Sequence, residues 1–358
     1  MERRLVSLQI LRFLSAAAVV ASHLPTLAWT VGAPMAAAWK LGLVVGHAGV
    51  DVFFVLSGFV IALTGPLAKE RPSAAAFFWR RWRRVAPVYF VLSLPMVVGE
   101  AAVGPLDPAR LVATFLFWPA LGSTFAKPYL SVGWTLCFEM VFYTAIALAL
   151  AGGRLGRNLA ILGAVVAGLL AVRFLTGWEA ARFLTGPLFL EFGAGVALAA
   201  FRGPIARLPT AAGLALGAAA LAAFASEAAL GACPLCTGAD TDLGAGDLAR
   251  VVLWGGPAAM LVAAALILEP FVRGRLARAL AIGGDASYSI YLAQAPWLVL
   301  TAVAWEVLGA PRSATALSAA GLVVSIGGGL LIWRTVEQPI LGLMKRLAWP
   351  AMRAAATP

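Results

Sequence analysis

Arg12 and His23 are the first residues in this chain whose types and spacing suit chemistry. Both lie inside an apolar run from Leu5 to Leu27. At 100° per residue, the eleven steps between them close three helical turns with about 20° to spare, so on a helix they share one face about 16 Å apart. A guanidinium holds an anion, and an imidazole takes or gives a proton near neutral pH. The pair therefore suits a long substrate lying along the helix, its anionic part held at one end and its reacting part at the other. Plainer readings stand beside this: Arg12 as the buried partner of an acidic residue, and His23 as a satisfied interfacial histidine. His47, the second of two histidines, falls near the outer start of the next apolar run, where an interfacial role suits it.

Asp51 and Glu139 are the acidic counterparts, each about two turns into an apolar run. An ionisable side chain at the centre of a span costs about 2.5–3.5 kcal/mol on insertion scales, so such groups turn toward protein or a wet cavity. A carboxylate beside an imidazole fixes its tautomer and raises its basicity. The expectation is that His23, Asp51 and Glu139 reach similar depth in the outer half of the membrane, with an ion-paired packing network fitting the same placement.

The run Phe78-Trp79-Arg80-Arg81-Trp82-Arg83-Arg84 has two readings. Lys and Arg mark cytoplasmic loops, and that alone accounts for it. The guanidinium forks of Arg80 with Arg83, or Arg81 with Arg84, set three residues apart on a helix face, also suit phosphate, and the indoles suit stacking. A nucleotide-bearing co-substrate on the cytoplasmic side fits this second reading.

The elements that must hold these residues are membrane spans. Of 358 residues 62% are hydrophobic and 12% charged, against about 45–50% and 25% for soluble domains. An ordinary soluble enzyme, a disordered chain and a disulfide scaffold are excluded. Apolar runs of about 20 residues exclude the alternating segments of a transmembrane barrel. The net charge of +11 points to cytoplasmic loops rather than to nucleic acid. Arg12 and the length of the first run also set it apart from a signal peptide.

The expected fold is an all-α polytopic bundle of about ten spans with both termini cytoplasmic. The spans run Leu5–Leu27, Leu41–Leu67, Val85–Val103, Val132–Ala151, Leu159–Phe174, Phe183–Phe201, Thr210–Ala229, Ala249–Leu268, Ile282–Trp305 and Thr315–Trp333. The stretch Leu111–Leu121 is too short to cross and is read as re-entrant or interfacial, which keeps Arg154 and Arg157 inside. Without an internal repeat or composition break, residues 1–358 read as one domain. Cys137 packs within a span. Cys233 and Cys236 form a C-P-L-C on an outer loop, either bonded or as free thiols. With no histidine nearby they do not make a zinc site, and no metal is expected.

Several stretches together resemble the acyltransferase-3 family of integral membrane O-acyltransferases. They are Leu8 to Arg12 with His23, Gly49-Val50-Asp51 through Gly58-Phe59, the Arg80–Arg84 run, Trp134-Thr135 to Glu139, Ser287-Tyr288-Ser289-Ile290-Tyr291-Leu292, and Val336-Glu337-Gln338-Pro339. They follow the family's order over nearly the whole chain. The resemblance implies a ten-span core that moves an acyl group, acetyl foremost, from cytoplasmic acyl-CoA to a hydroxyl of a sugar, glycan or glycosylated small molecule. It implies His23 as catalytic base, ties Arg12 to donor binding or activity, and maps an Arg-x-x-Arg element to Arg80/Arg83 or Arg81/Arg84 and a fourth-span glutamate to Glu139. The mechanism expected from this has the Arg80–Arg84 cluster hold the CoA phosphates and Glu139 or Asp51 orient His23 and stabilise its cation. It further implies a multi-pass protein of a bacterial inner membrane, with no soluble esterase-like domain expected. Two positions depart from the pattern: Thr135 replaces a serine but keeps the hydroxyl, and Gln294 stands where a histidine is usual and cannot act as a base. The competing class is a transporter or flippase of an anionic solute or glycolipid, for which ten spans and buried charges are equally usual.

Overall fold

The computed structural model describes residues 5–30, 37–121, 125–230, 248–309 and 313–346. Cys233 and Cys236 lie outside the described residues, as do Asp240, Asp242 and Asp247. Sixteen helices follow in chain order: α1 Val6–Thr30, α2 Ala37–Thr64, α3 Ala74–Val103, α4 Pro108–Leu116, α5 Trp134–Leu150, α6 Leu155–Thr176, α7 Glu179–Leu184, α8 Phe189–Ala200, α9 Arg202–Ala206, α10 Thr210–Leu230, α11 Leu248–Arg250, α12 Gly256–Leu268, α13 Arg275–Asp285, α14 Ser287–Val307, α15 Ala314–Ile332 and α16 Gln338–Arg346. No strand occurs among the described residues. Among the described residues, ten helical stretches are long and apolar enough to cross a bilayer, and each overlaps one expected span.

The physical reason for an all-helical chain is the bilayer itself, where every backbone N–H and C=O must bond within its own segment. Leu111–Leu121 does not form a span. It yields the nine-residue α4, capped by the Asp107 carboxylate, which accepts from the Ala109 N–H at 2.8 Å. The third span differs from expectation at its start. The helix begins at Ala74 rather than Val85, behind a Ser73 cap whose hydroxyl accepts from the Ala76 N–H at 3.3 Å. The whole arginine run is therefore the first part of a 30-residue helix, not a loop.

The helices group into two compact units. One comprises Met1–Val60 with Gly186–Leu331, the other Ile61–Thr185 with Ile332–Pro358. In the first, the amino end of α1 is held by Glu269, whose carboxylate accepts from the N–H groups of Val6 at 3.0 Å and Ser7 at 2.8 Å. An anion there satisfies orphan donors and complements the helix dipole. α1 packs on α13 and α14, and Leu24, Leu27, Leu298 and Leu317 close a buried cluster at its far end. α2 meets α8 so tightly that a side chain at Gly58 would collide with the backbone of Phe192; glycine is what lets the two backbones approach.

The second unit contains the last turn of α2, the helices α3 to α7, and α16. Its centre is aromatic: Tyr89 packs on Phe117, and Phe138 packs edge-on against Phe183. No side chain of α6 is buried, as suits an apolar helix whose surroundings are lipid. Two π-turns interrupt the spans, Val251–Gly255 in the first unit and Trp333–Glu337 in the second. Such turns insert one extra residue and are frequent at functional sites.

Candidate functional site

His23 lies in α1, half-buried, with its Nδ1 atom 2.8 Å from the carbonyl oxygen of Val19 one turn earlier. A carbonyl only accepts, so Nδ1 carries the hydrogen and donates it. The lone pair of the neutral ring is then on Nε2, and among the described residues the hydrogen bonds of His23 reach only Nδ1. The buried Ser22 shares this arrangement. Its hydroxyl donates to the same carbonyl at 2.7 Å and sits 3.3 Å from Nδ1. The ring of His47 lies beside that of His23, with centroids 6.5 Å apart. α2 presses against this turn of α1: a side chain at Gly49 would meet the Ser15 carbonyl and Val19. The local backbone thus supplies the group at Nδ1 that sequence reasoning sought in a carboxylate. Arg12 is half-buried on the same helix.

Asp51 is fully buried and occupied by Arg250. The guanidinium donates through Nε to Oδ1 and through Nη2 to Oδ2, each at 3.1 Å, across 199 residues of sequence. Arg250 is itself buried at the edge of the π-turn Val251–Gly255. Glu191 of α8 brings a third buried ionisable group, its carboxyl near that of Asp51. Neither Arg250 nor Glu191 was singled out by sequence. The signal that selected Asp51 and Glu139, an ionisable residue inside an apolar run, also fits Glu191. Arg250 sits at the end of its run, where it passes for a flanking charge.

In the second unit the arginines fall on two faces of α3. Phe77, Arg81, Arg84 and Val88 form one stripe, with Phe77 and Val88 buried. Arg84 donates through Nη1 to Oε1 of Glu337 at 2.5 Å, and Glu337 is fully buried in the π-turn Trp333–Glu337. Arg81 donates to the Thr64 hydroxyl and lies over the Phe77 ring, 5.8 Å from its centroid. Arg80 and Arg83 lie on the neighbouring face, with Arg80 exposed. Trp79 and Trp82 stack with centroids 5.3 Å apart and planes 11° from parallel. The half-buried Glu139 lies one turn before the buried Tyr143, whose hydroxyl is within electrostatic reach of Glu139, Arg81 and Arg84.

The structure thus brings His23 to Val19, Ser22 and His47, Asp51 to Arg250 and Glu191, Arg84 to Glu337, and Glu139 to Tyr143. His23, Arg12 and Asp51 belong to the first unit, Glu139 and the arginine run to the second. Among the described residues no three His, Cys, Asp or Glu side chains converge as metal ligands. Gln294, fully buried in α14, donates from Nε2 to the Tyr291 carbonyl at 2.8 Å.

Comparison with known proteins adds a second line of observation. A family model described as an acyltransferase domain matches residues 5–334. The exopolysaccharide production protein ExoZ of Rhizobium meliloti (strain 1021) is 33% identical over 309 residues, covering 83% of this chain and 90% of that protein. Nodulation protein 10 of Rhizobium leguminosarum bv. viciae is 28% identical over 223 residues, 52% of this chain and 57% of its own length. The acyltransferase MdmB of Streptomyces mycarofaciens is 30% identical over 157 residues, 40% of this chain and 39% of its own. No solved structure matches the chain.

Proposed function

This chain belongs to the acyltransferase-3 family of multi-pass membrane proteins, and from that premise we propose that it transfers an acyl group, acetyl foremost, from cytoplasmic acyl-CoA to a hydroxyl of a sugar or glycan. The observation that carries the reading is the 2.8 Å contact of His23 Nδ1 with the Val19 carbonyl oxygen. With the Nδ1 hydrogen held by Val19, Nε2 is the basic nitrogen. In the proposed step Nε2 removes the proton from the acceptor hydroxyl. The oxygen attacks the thioester carbonyl carbon, a C–O bond forms and the C–S bond breaks. CoA leaves as the thiolate and takes the proton back from Nε2, so the products are the ester and free CoA. Throughout, the Nδ1–H bond keeps the ring oriented and shares the charge of the imidazolium.

Arg80, Arg81, Arg83 and Arg84 are assigned to the donor's phosphates, because forked guanidinium donors match phosphate oxygens. Arg12 is assigned to the rest of the donor. Glu139 and Asp51 are assigned the electrostatic support of charge developing during transfer, Asp51 acting through Arg250. A glycan acceptor is supported by the name of the relative that matches most of this chain, an exopolysaccharide production protein. The membrane is proposed to be a bacterial inner membrane with both termini cytoplasmic, which the basic residues flanking the spans support.

Mass spectrometry of glycans and small metabolites from cells expressing wild type or His23→Ala tests this reading. One acyl increment, present with wild type and absent with the equally abundant variant, is the expected outcome. An increment of equal size in both removes His23 from the chemistry.

A further inference from the structure

We infer that Glu337 is a positioning residue for the donor site: its buried carboxylate aims the Arg84 guanidinium, and the π-turn that carries it is part of the donor-binding apparatus. This rests on the reading of acyl-CoA as donor. The ion pair joins residues 253 apart in sequence. Its acidic side is fully buried, whereas the Arg84 side chain is 34% exposed. The short contact uses one of five guanidinium N–H groups, which leaves donors on the exposed part of the fork for a phosphate. α16, which follows the π-turn directly, packs on α3, so both partners are fixed on helices rather than loops.

A carboxylate next to an anion site is unfavourable by charge alone. Removing it raises the local positive potential, and simple electrostatics then gives tighter binding of an anionic donor. A carboxylate that aims the guanidinium does the opposite, because a bidentate contact depends on the orientation of the fork. The sign of the effect separates the two roles.

The test is CoA binding by the full-length protein, purified in detergent, together with acyl-transfer kinetics on the acceptor found in cells. Glu337→Gln keeps an oxygen to accept from Nη1 but removes the charge. It is expected to raise the Kd and KM for the donor about tenfold while kcat at saturating donor stays within twofold, and Glu337→Asp should recover part of the loss. Against an Arg84→Ala background Glu337→Gln should add nothing, because the two residues act as one. Unchanged or tighter CoA binding by a folded Glu337→Gln protein overturns the inference, as does full additivity with Arg84→Ala. Should Glu337→Gln fail to fold, the Asp variant alone and with Arg84→Ala gives the same reading. Wild type that binds no CoA overturns the donor assignment itself, and this inference with it.

Discussion

Asp51 and Glu337 are both carboxylates with no exposed surface, and each holds an arginine, yet the two pairs leave different things unspent. In the first, both partners are buried, two parallel N–H···O bonds use both carboxylate oxygens, and a further carboxyl from Glu191 lies near the pair. That guanidinium is closed to solvent, with its Nε and Nη2 donors both spent on one carboxylate. In the second, one short bond ties an arginine whose side chain is still one-third exposed. The comparison teaches that burial of an acid says little about its role until the state of its partner is known. A closed pair acts on its surroundings only through the field of its fixed charges, while a half-open one holds donors ready for direct contact.

Breaking the closed pair should have the largest effect. Arg250→Ala leaves Asp51 and Glu191 near each other without that cation, and loss of one partner from a buried pair costs roughly 3–5 kcal/mol. Thermal unfolding in detergent should drop steeply, with little protein recovered; an unshifted transition would show that the pair does not hold α2 in place. The half-open pair should respond less. Arg84→Ala should cost about 1–2 kcal/mol, discounted because its guanidinium is partly solvated, and should weaken CoA binding as well. Stability loss with wild-type CoA affinity would turn this pair into a second closed one. Smallest in stability is the neighbouring face of α3. Replacing Arg80 and Arg83 together by Ala should leave unfolding within about 0.5 kcal/mol while CoA binding weakens, measured by titration on the same sample. Unaltered CoA affinity would take both residues out of the donor site.

The ten spans were legible because length and apolar content alone decide what can cross a bilayer. α4 was legible as a stretch too short to cross. The start of α3 was hidden by its charges: four arginines between Ala74 and Val85 look like a loop, yet Phe77 and Val88 give the same stretch a buried stripe. The π-turns leave no trace in hydropathy, since each is one residue of extra winding. The pairing of Asp51 with Arg250 joins residues 199 apart, and nothing local in either run announces it. His23 shows the opposite case. The group at Nδ1 is the carbonyl four residues earlier on its own helix, a contact that helical geometry alone makes available.

The central claim is that Nε2 of His23 takes the acceptor's proton. The most direct measurement is transfer of labelled acetyl from acetyl-CoA by purified wild type and His23→Gln, with CoA affinity determined on the same preparations. Loss of a general base costs about a hundredfold or more in rate, so the account predicts a fall of that size in transfer with donor affinity within twofold of wild type. Transfer by His23→Gln at the wild-type rate would contradict it and shift the chemistry to another group.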